Sequence, residues 1–117
     1  MTDETVCIYH LTLDPANFET FKELVGRIVS ATREEPGTLS YEYSVNADQT
    51  AAHIIERYRT PDLLGHVKDT FAPFAKRFLE LVTIEKLFVY GATTPEIRAT
   101  LDGFGAIYMT SFDGFTR

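Results

Sequence analysis

The segment from Glu35 to Arg59, EPGTLSYEYSVNADQTAAHIIERYR, decides how the chain folds. Its first part, Thr38 to Val45, alternates: Leu39, Tyr41, Tyr43 and Val45 fall on one face, Ser40, Glu42 and Ser44 on the other. That two-residue period belongs to a strand with one side buried. Asn46-Ala47-Asp48-Gln49 supplies turn chemistry, and Ala51 to Arg59, rich in isoleucine and tyrosine, reads as the returning strand of a hairpin. Glu35-Pro36-Gly37 ends whatever precedes it, because proline disfavours helix in the residue before it and glycine accepts turn geometry.

Working outward from the hairpin, Thr5 to Leu13 is a further alternating strand, with Cys7, Tyr9, Leu11 and Leu13 opposite Val6, Ile8, His10 and Thr12. Asp14-Pro15 caps a helix, and Phe18, Phe21, Val25, Ile28 and Val29 carry its apolar spacing to about Glu34. After the hairpin, Thr60-Pro61-Asp62 opens a second helical region with a stripe at Leu64, Val67, Phe71, Phe74, Phe78 and Leu81. Pro73 divides that region in two, since a proline inside a helix removes a hydrogen bond and clashes with the preceding turn. Thr83 to Tyr90 is the last strand, ending at Gly91. The order β-α-β-β-α-β predicts an α+β, ferredoxin-like domain over residues 1–92, with a four-stranded antiparallel sheet and both helices on one face. Residues 93–117 form a C-terminal extension: a short helix capped at Thr94-Pro95 and ending near Asp102-Gly103, then a strand-like apolar run from Ala106 to Phe112. The apolar side chains of that run must be buried on the same domain or on a partner subunit.

A chain of 117 residues fits one core, and 44% hydrophobic with 24% charged residues is the balance of a globular protein. A net charge of −6 without a basic stripe argues against nucleic acid as a partner. No stretch approaches the ~20 apolar residues of a membrane span. With Cys7 as the one cysteine, no internal disulfide is possible, and the chain reads as cytoplasmic. With both helices on one side, the other sheet face would leave Val6, Ile8 and Ile55 in water; a second copy packed against it would cover them, which predicts a homodimer.

Three groups of residues, Glu35-Pro36-Gly37-Thr38-Leu39-Ser40-Tyr41-Glu42-Tyr43, then Ile54-Ile55-Glu56-Arg57-Tyr58, then Leu64-Gly65-His66 with Phe71, resemble the antibiotic biosynthesis monooxygenase family in both motif and order. The resemblance covers about Thr5 to Tyr90. It implies a dimeric α+β barrel and, in some members, oxygenation of phenolic or quinol substrates without metal or flavin; similar sequences include haem-degrading oxygenases and a sugar-phosphate isomerase. Some members rely on a tryptophan in the third strand. This chain has no tryptophan, and Tyr58 stands in that place.

The candidate site follows from what cofactor-free oxygenation requires: a base, hydrogen-bond partners, an oriented ring and exclusion of water. His66 is the expected base, since histidine titrates near neutrality. Glu56 alternates with Ile54 and Tyr58, so its carboxyl is expected in the same cavity as those residues, or else paired with Arg57 or Arg59 of the partner if the strand is turned over. His66, Glu56 and Tyr58 are thus the catalytic candidates, with Tyr9, Tyr41, Tyr43, Phe71 and Phe74 placed against the substrate. A metal is not expected: His10 and His53 fall on neighbouring strands, but the three histidines lack ligand spacing. The expected function is a cofactor-independent monooxygenase acting on a small aromatic or quinol-like molecule. Two alternatives stand beside it: a non-oxidative isomerase, with only Lys68, Lys76 and Arg77 to line a polar pocket, and a non-catalytic dimeric binding protein with helices flush on the sheet.

Overall fold

The computed structural model describes residues 3–117. Strand β1 (Glu4–Leu13) runs into a 3-10 turn at Pro15–Asn17 and helix α1 (Phe18–Arg33), where the Asp14 side chain accepts from the Ala16 amide at 2.9 Å. The hairpin follows as β2 (Thr38–Val45) and β3 (Ala51–Arg59). A 3-10 turn at Thr60–Asp62, a short α2 (Leu63–Gly65), a π turn at His66–Thr70 and α3 (Ala72–Leu81) lead to β4 (Val82–Gly91). The C-terminal extension adds α4 (Pro95–Leu101), a 3-10 turn at Asp102–Phe104 and β5 (Ala106–Met109). No helix among the described residues is long and apolar enough to cross a membrane.

The sheet has the order β2-β3-β1-β4-β5. Neighbours among its first four strands pair antiparallel, but β5 pairs with β4 in parallel, so the sheet is mixed and five-stranded rather than the four-stranded antiparallel sheet expected. The physical reason is the free edge of β4. An unpaired edge exposes a row of backbone donors and acceptors, and the crossover through α4 returns the chain in the direction that pairs in parallel. The Thr94 hydroxyl caps α4 by accepting from the Ile97 amide, while Ile97 and Leu101 bury its inner face. The apolar run after Gly105 is shorter in structure than in sequence: the strand stops at Met109, and Phe112 is 99% exposed.

Register sorts side chains between the two faces, since directly opposed residues point the same way. On the helical side, Tyr41, Glu56, Cys7, Val89 and Tyr108 form one row and Tyr43, Ile54, Tyr9, Leu87 and Ala106 the next. On the other side the rows are Ile55, Ile8, Phe88 and Ile107, then Arg57, Val6, Tyr90 and Met109. The alternation read from β2 is observed for Tyr41 and Tyr43, but the register shifts between Thr38 and Ser40, so Thr38 takes the place opposite Tyr58. In α1 the buried stripe is Phe21, Leu24, Ile28 and Thr32, with Val25 only half-buried beside it.

Pro73 divides the second helical region as its chemistry requires, and the join is a π turn. The Phe71 amide reaches back five residues to the His66 carbonyl at 2.8 Å, and α3 restarts with Pro73 in its first turn, where the missing N–H costs nothing. The extra residue changes the phase of the stripe. Leu63 and His66 are buried, while Leu64 and Val67 are half-buried.

The corner after β4 depends on Gly91, whose φ is +84° and where a Cβ would lie 2.5 Å from the Glu4 carbonyl oxygen. That oxygen accepts from the Ala92 amide at 3.1 Å, so the glycine permits the hydrogen bond that turns the chain toward α4. Gly91→Ala is expected to lower unfolding free energy by about 2 kcal/mol or more. Gly105→Ala, at φ +74° with nothing within 4 Å, should cost only about 1 kcal/mol. Urea denaturation midpoints of the two variants make the comparison.

Candidate functional site

The helical side of the sheet and the α2–α3 segment enclose a cavity lined by Tyr9, Tyr41, Ile54, Glu56, His66 and Phe71, closed further by Val67, Phe78, Ile84 and Phe104. Each strand contributes through the rows just described, and His66 arrives from the π turn. The remaining free space is ≈ 20 Å³, room for about one water molecule. A substrate ring enters only if one wall yields.

Of the residues expected to form the site, five line this cavity: Tyr9, Tyr41, Glu56, His66 and Phe71. Tyr58 sits fully buried behind it and donates to Glu56 Oε1 at 2.5 Å, so it holds the carboxyl rather than facing the cavity. Tyr43 shares a hydroxyl hydrogen bond with Tyr41 at 2.8 Å and packs its ring on Phe21, one layer removed. Phe74 is half-buried against the core and does not reach the cavity wall. Lys68, Lys76 and Arg77 are all exposed and none lines the cavity.

The arrangement around His66 includes Glu35, which the sequence marks as a helix stop and the start of the family motif but not as a site residue. Glu35 brings both carboxylate oxygens to His66 Nδ1, at 3.1 and 3.2 Å, and its Oε1 also accepts from the Thr38 hydroxyl at 2.6 Å. Two backbone bonds set that turn: the Thr38 amide donates to the Glu35 carbonyl, and the Arg59 amide to the Gly37 carbonyl. Gly37 is required there because a Cβ would lie within 2.4 Å of three Asp62 side-chain atoms. A signal was present in the sequence: the acidic residue opening the acidic-Pro-Gly motif precedes Thr38 by three positions, as a carboxylate bonded to a threonine across a turn must.

The two polar groups facing the cavity are shifted in opposite directions. Burial lowers the His66 imidazole below its usual value, with the Glu35 carboxylate pulling the other way. At neutral pH the ring is therefore uncharged. Its Nδ1–H donates to Glu35 and Nε2 carries the lone pair, with no protein partner among the described residues. Burial pushes the Glu56 carboxyl up to about 8, against the Tyr58 hydrogen bond that favours its charged form, and the nearby Glu35 charge adds to the rise. Glu56 is 4% exposed and His66 3%. The cavity thus holds a neutral base and a neutral acid together, the division of roles by which a site runs both halves of a proton transfer. Tyr9 and Tyr41 are driven upward, chiefly by burial and then by Glu56, and remain hydrogen-bond donors.

Among the described residues no group of three or more histidines, cysteines or carboxylates is placed to hold a metal. His10 and His53 lie on the opposite face of the sheet, stacked at 4.1 Å. Cys7 is buried on the helical side, its thiol pushed far up by burial and by Glu56.

The family model for antibiotic biosynthesis monooxygenases matches residues 5–70, more than half of the chain. The chain belongs to this family. The match takes in Glu35, Tyr41, Glu56, Tyr58 and His66 and ends in the π turn, so Phe71, Phe78, Ile84 and Phe104 are contributed from outside it. No protein of curated function matches the sequence. Among solved structures, MupZ from Pseudomonas fluorescens superposes with a TM-score of 0.85 at 24% identity, over 100% of this chain and 91% of that one. SnoaB, a cofactor-independent oxygenase from Streptomyces nogalater, gives 0.64 at 20% identity over 79% and 95%. Rv0793 from Mycobacterium tuberculosis gives 0.63 at 24% identity over 74% and 91%. These likenesses concern the fold, and the first extends it through the C-terminal segment.

A pH consequence follows from Glu56. Its folded-state value of about 8 lies above its ordinary 4.5, so its contribution to stability is fully present below about 4.5 and is lost as pH rises through 8. The loss amounts to several kcal/mol between those limits. Glu56→Gln keeps the shape of the neutral acid and is expected to flatten the decline. Urea unfolding from pH 5 to 9 reads this directly; parallel curves for the two proteins would show that Glu56 is ionised in the fold.

Proposed function

We propose that this chain is a cofactor-independent monooxygenase acting on a small aromatic or quinol-like molecule. The observation that carries the reading is the uncharged His66, oriented by Glu35 through Nδ1, in one small, largely apolar cavity with a protonated Glu56. Membership of the family and the fold shared with a cofactor-independent oxygenase support it.

In this reading His66 Nε2 takes a proton from an activated CH2 group beside an electron-rich ring, while Glu56 and Tyr41 donate to the substrate oxygen on which charge gathers. The substrate anion passes one electron to dioxygen, the two radicals combine into a carbon-bound peroxide, and His66 returns its proton to the terminal oxygen. Loss of water then leaves a carbonyl. The sum is R2CH2 + O2 → R2CO + H2O, with every electron drawn from the substrate. Tyr58 positions the acid, and the aromatic and aliphatic walls keep water from the reactive anion.

The assembly proposed for this activity is a homodimer through the outer sheet face. Ile55, Tyr90, Ile107 and Met109 are exposed there around half-buried Val6, Ile8 and Phe88, an apolar surface of the kind a second copy covers. Light scattering is expected to give twice 13.2 kDa, and Ile55→Glu to return it toward one chain.

Oxygen uptake is the test of the chemistry. On a panel of hydroxylated two- to three-ring aromatics carrying an activated ring CH2 group, the wild type should consume oxygen with at least one, and His66→Ala should lose about 10²- to 10³-fold in kcat. Glu35→Gln should lose less while moving the pH profile, as a residue that acts through the histidine does. The co-presence of a neutral acid and a neutral base also favours a second reading, a non-oxidative isomerase. Solvent deuterium entering a substrate C–H position without oxygen uptake would select it.

A further inference from the structure

The free space in the cavity holds about one water, whereas an apolar cavity needs roughly 150 Å³ to take a benzene-sized ring. Part of the wall must therefore move when an aromatic ligand arrives. The wall offers two half-buried phenylalanines, Phe71 and Phe104, and they are held very differently.

Phe71 is fixed from all sides. Its amide donates to the His66 carbonyl and its carbonyl accepts from the Phe74 amide, both at 2.8 Å. Its ring packs edge-on to Phe78 at 5.1 Å and lies 6.2 Å from His66. Displacing it would disturb the π turn that sets the base.

Phe104 also packs against the core, but its turn is closed by a single backbone bond, from the Gly105 amide to the Asp102 carbonyl at 3.0 Å. It makes no ring-to-ring contact among the described residues, and it sits between Gly103 and Gly105, around neither of which is any atom within 4 Å of where a Cβ would be. Gly105 already has a φ of +74°, and glycine on both sides lets the short turn re-form with little steric resistance. The flanks, by contrast, are pinned. Ile97 and Leu101 are buried under α4, and the Tyr108 hydroxyl donates to Asp102 Oδ1 at 2.7 Å. The Arg98 guanidinium lies 4.1 Å above the Tyr108 ring. The anchored flanks leave Gly103-Phe104-Gly105 as the part of the extension with the fewest ties.

We propose that Phe104 is the gate and the size selector of this cavity: its ring swings out on the glycine-flanked turn to admit one aromatic ring and returns to exclude larger ones. The proposal rests on reading this cavity as the substrate site. It gives the C-terminal extension a function, since Phe104 lies beyond the residues that match the family model.

The test is ligand binding by the full chain, independent of turnover. Wild type, Phe104→Ala and Phe112→Ala are titrated calorimetrically with 4-methylphenol and 2-naphthol. Phe104→Ala is expected to bind 2-naphthol about tenfold or more tighter than wild type, and Phe112→Ala, altered at a fully exposed ring, to match wild type. No gain in Phe104→Ala, or an equal gain in Phe112→Ala, overturns the proposal. Phe104→Trp supplies a second measurement that does not depend on opening a void, because the chain has no other tryptophan. Its indole emission should shift to the red and become accessible to iodide as 4-methylphenol is added; emission that stays unmoved overturns the swing. A naphthol gain in Phe104→Ala alongside no oxygen uptake by any variant would leave the gate standing and sink the oxygenase reading. Oxygen uptake with an unchanged naphthol affinity would do the reverse.

Discussion

A carboxyl group buried in an apolar core cannot keep its charge cheaply, and the structure resolves this for Glu56 by keeping the proton on. One oxygen is met by the Tyr58 hydroxyl from the same strand face two residues on, and no cation approaches closely enough to reverse the preference. The neighbouring charge is Glu35, which pushes the same way. Had Arg57 or Arg59 reached Glu56, the group would be an ion pair and useless as an acid. Strand alternation prevents it: Arg57 stands on the outer face, where it bonds Glu4 at 2.8 Å. The neutral state of Glu56 thus follows from the pleat, because residues 54, 56 and 58 turn inward together while 55, 57 and 59 turn out.

The same neutrality shapes what surrounds it. Because Glu35 is engaged with His66 and Thr38, its charge is held at the rim rather than in the cavity, and the imidazole can remain an uncharged base while still being oriented. Charge on either Glu56 or His66 would draw water into a space that has room for little else. The small apolar cavity and the neutrality of both groups are therefore one property rather than two.

Much of this was legible in the sequence, and what was not has a common cause. Period-two alternation placed Tyr9, Tyr41 and Glu56 on the helical side, because each strand decides its own faces locally. The proline at position 73 announced a break, but not that the break would include a π turn whose extra residue leaves Leu63 and His66 buried and Leu64 and Val67 half-buried. Glu35 was seen as part of a stop signal and missed as the partner of a histidine 31 residues away, since no local period records such a pairing. Phe74 kept the stripe's spacing and was expected in the site for that reason, yet the same phase change turns it aside. The parallel pairing of β5 was hidden because a four-residue strand carries too little pattern to declare its partner, and Phe104 was hidden with it.

The proposed aromatic substrate and the water-sized cavity are reconciled once stability and access are assigned to different parts of the fold. The inner rows of β1, β3 and β4, with α1 and α3 above them, hold the large buried side chains that stabilise the domain. Opening there would expose buried apolar surface at a cost of about 25 cal/mol per Å². A flush seam is therefore the expected resting state even for an enzyme, and it argues for a non-catalytic protein only if every wall residue is equally locked. The walls are unequal here. Tyr9, Glu56, His66 and Phe78 are buried and bonded or packed, whereas Phe104 stands on a turn whose flanking glycines carry no side chains to repack. In the proposed gate, movement at that one point would leave Glu56 and His66 rigid, as proton transfer over hydrogen-bond distances requires.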